Sequence, residues 1–184
     1  MKLRVSIVMS MALLCACHAK QTIVPESATR GAQASPTASP SIALTPVAQE
    51  IARRGYHSTS GAVVTPGAWE TSTFRMRNKR VFAFRADKPF ANSHDDYCRF
   101  SFFEESYDSA DDARHRLENI HLPNPDGPAG ELDYLSAMRG GFHVGNVAYV
   151  LQTDASMFWD EVQGLTKQLA AATPGAEIVR TRAQ

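Results

Sequence analysis

The first 55 residues contain no aromatic side chain; the nine Phe, five Tyr and two Trp all lie beyond them. A stretch that lacks aromatics has little with which to build a core, so the composition of the chain is not uniform and most of the core must come from downstream. An excess of one charge is missing too, because nineteen Lys and Arg balance nineteen Asp and Glu. That balance excludes the basic footprint of a nucleic-acid binder and the composition of a disordered acidic chain. Nucleic acid is therefore not an expected partner. Nor is there a spanning apolar run: Val5 to Leu14 is only ten residues, too few to cross about 30 Å of hydrocarbon as a helix. No nucleophile elbow, phosphate loop, dinucleotide fingerprint or paired-His zinc helix occurs, so neither an enzyme nor a cofactor is expected.

What is present begins with a leader. Lys2 and Arg4 precede the apolar stretch, and small residues follow it, the layout of a secretory signal. Leu14-Cys15-Ala16-Cys17 closes it and resembles the lipobox of bacterial lipoproteins. The resemblance covers the first seventeen residues and implies cleavage between Ala16 and Cys17, with lipid attached to Cys17. The alternative is an ordinary signal peptide cut after Ala19, within Cys17-His18-Ala19. Two or three acyl chains make a stable anchor where one gives only reversible binding. The implied partner is thus a lipid bilayer, and the implied location is the periplasmic side of the cell envelope. His18 rather than Asp follows the lipidated position, which by resemblance to enterobacterial sorting implies the outer membrane.

From Pro25 to Ser41, fourteen of seventeen residues are Ala, Ser, Thr, Pro or Gly, a composition that cannot offset its own ordering entropy. The expected organisation is a signal peptide over 1–16, a disordered tether over 17–43 and one α+β domain over 44–184. Once Cys15 leaves and Cys17 is acylated, Cys98 is the single free thiol, and the domain must stand without an internal disulfide. Its apolar surroundings predict a buried small hydrophobe.

Within the domain, Thr45-Pro46 begins a helix that ends near Gly55. Trp69–Met76 and Val81–Ala86 predict a hairpin, with Arg77-Asn78-Lys79-Arg80 as its turn, and residues 86–96 form a loop. Tyr97 to Glu104 alternates, turning Cys98, Phe100 and Phe102 to one face. Ser109 caps a helix with Asp112 at its third position and Ala110, Ala113, Leu117 and Ile120 inside. Three Pro and two Gly make 121–130 a loop, and 131–136 opens either a helix or a strand. Gly145-Asn146 predicts a type II′ hairpin turn. Asp154 or Ser156 caps a last helix buried through Phe158, Val162, Leu165 and Leu169, and 176–181 forms a closing strand. The expected fold is an antiparallel sheet with helices on one face. Its order after residue 97 suggests a ferredoxin-like βαββαβ unit preceded by a helix and a hairpin. By fold analogy alone, that shape includes the peptidoglycan-binding sporulation-related repeat.

The chemistry-bearing clusters have modest explanations. His94-Asp95-Asp96 could offer metal ligands, or with Cys98 an enzyme site, but reads as a solvated turn. His115 and His121, six apart, do not share a helix face. Glu104, Glu105, Asp108, Asp111 and Asp112 form the densest acid cluster, assigned to a helix start. Arg75, Arg77, Lys79 and Arg80 form the densest basic one, on a hairpin tip, which reads as a solvated turn, with membrane or anionic-glycan contact as the alternative. The Phe100–Phe103 and Phe158–Trp159 aromatics are assigned to the core. The functional expectation is a tethered, non-enzymatic domain that binds an envelope protein or peptidoglycan, or else a small-ligand or cell-wall-glycan sensor. The loops 86–96 and 121–130 are the first places to look for contacts.

Overall fold

Thr45 adopts extended backbone and its Oγ1 accepts a hydrogen bond from the Ala48 N–H at 3.5 Å. Pro46 then opens helix α1, Pro46–Arg53, and Gly55 follows at φ +90°. Here the local punctuation alone places the element. The computed structural model describes residues 42–90, 96–122 and 138–180. The expectations for the leader, the lipobox, the tether up to residue 41, His94-Asp95 and 131–136 lie outside the described residues. Ile42 packs against the core and approaches Gly61. The folded part therefore starts at least two residues before Leu44, because a branched apolar side chain has surface to bury there.

Strand β1, Tyr56–Val64, follows α1 and had no counterpart in the sequence reading. Its residues are exposed or half-buried, so apolar alternation gives no signal. The expected hairpin at 69–86 does not form. Ala68–Phe74 is instead helix α2, and β2 runs unbroken from Met76 to Ala86 through the supposed turn. The Trp and Thr side chains there favour strands in isolation, yet Glu70 reaches back to the Gly67 N–H at 3.0 Å and secures a helical start. Arg75, left-handed at φ 56°, ends α2 and redirects the chain. Strand β3, Arg99–Tyr107, keeps the expected alternation, with Phe100 and Phe102 buried on one face.

Helix α3, Ala110–Glu118, starts as predicted: the Asp112 N–H donates to Ser109 Oγ, and that hydroxyl donates to the Asp112 carboxylate. Its inner stripe is corrected at one place, since Ala110 is exposed and Arg116 is buried beside Ala113, Leu117 and Ile120. Strands β4, Arg139–Val144, and β5, Val147–Gln152, form the predicted hairpin. Gly145 takes φ +54°, as the first central position of a type II′ turn requires. A 3₁₀ turn, Ser156–Phe158, leads into α4, Trp159–Ala172. Neither Asp154 nor Ser156 caps it. Thr153 secures the approach instead, accepting from the Ala155 N–H and donating to the Arg99 carbonyl.

The five strands form one antiparallel sheet in the order β1-β2-β3-β5-β4. The fold class is α+β. The helices divide between the two faces instead of sharing one. Gly140 and Gly141, adjacent in β4, face opposite ways: a Cβ on Gly140 would meet Thr166 of α4, and one on Gly141 would meet Leu117 of α3. One core joins α1 and α4 to Phe82, Phe84, Phe102 and Leu151. The other joins α2 and α3 to Tyr107, Ala148 and Val150. The order β3-β5-β4 with α3 crossing between β3 and β4 is a split β-α-β unit. The ferredoxin-like arrangement stops there. β2 occupies the place beside β3 that a closing strand would take, and among the described residues the chain after α4 makes only an isolated bridge, His143 to Glu177, on the opposite edge.

Candidate functional site

The densest basic and acidic clusters of the sequence are each other's partners. The β2–β3 register sets Lys79 opposite Glu105 and Arg80 opposite Glu104. Arg77 pairs with Asp108, Arg80 with Glu104 at 3.1 Å, and Lys79 with Glu70 at 2.6 Å. The predicted basic hairpin tip is thus a neutralised strand. Of the acid cluster only Asp111 and Asp112 serve the helix start. Exposed pairs of this kind contribute little, but those nearest α3 are buried. Glu105 is 1% exposed and Arg116 6%. Tyr107 Oη donates to Glu105 Oε2 at 2.7 Å, Arg116 Nε lies 3.4 Å from that oxygen, and Lys79 Nζ lies 3.9 Å from the other. The Arg116 guanidinium also lies over the Phe74 ring. Burial and the Glu105 charge push the Tyr107 hydroxyl well above its usual range. Burial would raise the Glu70 carboxyl, but the Lys79 hydrogen bond and charge, helped by the Gly67 N–H, hold it below the usual range. This knot fastens α2 and α3 to the sheet.

On the other face Tyr56 Oη donates to Glu161 Oε1 at 2.7 Å, and Cys98 lies buried at 1% exposure, as its apolar surroundings predict. Burial and the Glu161 charge push the Cys98 thiol up to about 12. Only the thiolate reacts as a nucleophile, so this thiol is poorly poised for chemistry. In the folded full chain, a maleimide should label Cys98 many times more slowly than in denaturant. Labelling at the rate of a free thiol would contradict its place in the core.

A third assembly gathers side chains of β1, β2 and β3 on the sheet face opposite Phe84 and Phe100. Register sets His57 of β1 opposite Arg85 of β2, and Arg85 opposite Arg99 of β3. Direct cross-strand partners share a face, and like charges so placed repel. His57 Nδ1 lies 2.7 Å from an Asp87 carboxylate oxygen, and Arg99 is relieved by Asp154 at 3.4 Å, both exposed contacts. Arg85 forms no ion pair among the described residues; its guanidinium stacks over the Tyr97 ring at 4.0 Å. Two clefts of about 300 Å³ each share Arg85 and Arg99 as lining. Thr59, Ser101, Gln152 and Asp154 border the first, and Asp96, Tyr97 and Met157 the second. A further cleft of about 380 Å³ opens at the β4 edge, between Leu117 of α3, Ile120 just after it, and Gln163 and Lys167 of α4.

The sequence-predicted site residues are not brought together. Cys17, Ala16, His94 and Asp95 lie outside the described residues. Asp96 borders the second arginine cleft, His115 packs its ring near Phe74, and His121 borders the β4-edge cleft. No three His, Cys, Asp or Glu side chains converge on a common point among the described residues. Arg85 and Arg99 were missed by the sequence reading. Their signal is the alternation itself: each is flanked by core residues, Phe84 and Ala86, or Cys98 and Phe100, so each must point away from that core. That both point into one groove depends on register. No protein-family model, no curated protein and no solved structure matches the chain.

Proposed function

We propose that the chain is a lipid-anchored protein of the bacterial envelope whose domain binds an envelope component and does not transform it. The observation that carries this reading is Leu14-Cys15-Ala16-Cys17 behind a charged n-region and a ten-residue apolar stretch. Acylation of Cys17 would hold the domain at the bilayer on the periplasmic side, and residues 18–41, rich in Ala, Ser, Thr and Pro, would let it reach away from the surface. The groove around Arg85 and Arg99 supplies a contact face, since it carries converging donors and lies opposite the sheet face that buries Cys98. Binding without chemistry suits side chains that are donors and stacking platforms.

Metabolic labelling of the full chain with an alkyne palmitate analogue tests the anchor. The expected result is label and membrane retention in the parent chain, with both abolished by Cys17→Ala. A secreted product that starts at Lys20 and carries no acyl mass would overturn the proposal.

A further inference from the structure

The exposed Arg85–Arg99 groove combines features that select a ligand class. Arg85 and Arg99 are direct cross-strand partners, so both cations belong to one face and line the same clefts. The Arg85 guanidinium carbon lies 4.0 Å from the centre of the Tyr97 ring, and Arg85 has no carboxylate partner among the described residues, so its N–H groups can take a bidentate carboxylate. The rest of the lining is not basic. Asp154 accepts from Arg99, Asp96 borders the adjoining cleft, and Asp87 holds His57. These acids would repel a polyanion such as an acidic peptide, whereas Asp154, which gives only Oδ1 to Arg99, can accept from a ligand hydroxyl. Gln152 accepts from Arg139 Nε through Oε1 at 2.8 Å, which leaves its NH₂ group as a donor. The Ser101 and Thr59 hydroxyls border the same cleft, above an apolar floor at Ala83.

We infer that this groove binds a carboxylate-bearing sugar of a cell-wall glycan, with the carboxylate between Arg85 and Arg99 and the ring hydroxyls on Ser101, Gln152 and Asp154. One carboxylate among many hydroxyls matches the lining: two cationic donors for the acid, and mixed donors and acceptors for the rest. The two clefts, about 300 Å³ each and sharing Arg85 and Arg99, lie at the lower end of the range for small-ligand sites. A short oligosaccharide lying across both would meet the shared arginines at its centre. The inference rests on the binding reading proposed above and names its ligand.

The test uses the full chain in detergent micelles and calorimetric titration with two soluble probes of equal length. One is an oligomer of alternating N-acetylglucosamine and N-acetylmuramic acid, the other an oligomer of N-acetylglucosamine alone. They differ in the lactyl carboxylate. The expected result is at least tenfold tighter binding of the acidic probe, and loss of that preference in Arg85→Ala and Arg99→Ala. Both arginines are exposed, so both variants should keep the parent Tm, and that measurement accompanies the titrations. Equal affinity for the two probes, no binding of either, or an unchanged preference in the variants would overturn the assignment. Acylation of Cys17 is read separately. A labelled anchor with no glycan binding defeats the ligand alone, whereas an unlabelled chain that binds the glycan defeats the anchor alone.

Discussion

Glu105→Ala should cost the domain about 3–5 kcal/mol, because it leaves a buried guanidinium without its counter-charge. Glu105 is the centre of the knot: it accepts from Tyr107 and faces Arg116 and Lys79. Arg116 is the more weakly held partner. Its Nε and Nη1 find no hydrogen-bond acceptor among the described residues, so it relies on the charge of Glu105 and on the Phe74 ring. Arg116→Met should therefore cost clearly less than Glu105→Ala, since Lys79 and Tyr107 would still serve the carboxylate. Pairing Glu105→Leu with Arg116→Met should recover most of the loss, as apolar side chains of similar volume often replace a buried ion pair at little cost. Urea midpoints of the full chain read each variant. A Glu105→Ala loss under about 1 kcal/mol, or a double variant as damaged as the sum of Glu105→Leu and Arg116→Met measured singly, would show that the knot does not hold α2 and α3 down. Against a typical total of about 5–15 kcal/mol, the predicted loss is large.

Phe102→Ala should destabilise by a similar amount, about 3–5 kcal/mol, through a different mechanism. Phe102 sits on β3 in the interior of the sheet, fully buried, stacked with Phe82 and with Tyr149 at 6.1 Å each and edge-on to Phe84. Truncation would empty a site walled by three rings held in place by strand register, so collapse around it is limited. Its neighbour Phe103 faces the other way, is only partly buried, and has Lys79 Nζ over its ring. Phe103→Ala should accordingly cost markedly less. Calorimetric unfolding of the two variants compares adjacent residues of one strand. Equal losses would mean that the α1–α4 side of the sheet is not the dominant core.

The sequence alone determined the elements whose causes are local. Thr45-Pro46 and Ser109 with Asp112 fixed the starts of α1 and α3, Gly145-Asn146 fixed the β4–β5 turn, and alternation fixed which face of β3 goes inside. Each depends on contacts within about four residues, where the side chain that acts and the backbone it acts on are neighbours. The errors arose where distant partners decide. Trp69–Phe74 became a helix through Glu70 reaching the Gly67 N–H and then pairing with Lys79. Arg77–Arg80 stayed extended because Asp108, Glu104 and Glu105 lay across the ladder to receive them. β1 was invisible because half-buried polar residues carry no period, and only pairing with β2 makes it a strand. The groove is the furthest from the sequence, since His57, Arg85 and Arg99 are polar residues on three separate strands. A one-residue slip in either pairing would turn one of those side chains toward the opposite face. Register, set by the aromatics buried on the other side of the sheet, is what brings them together.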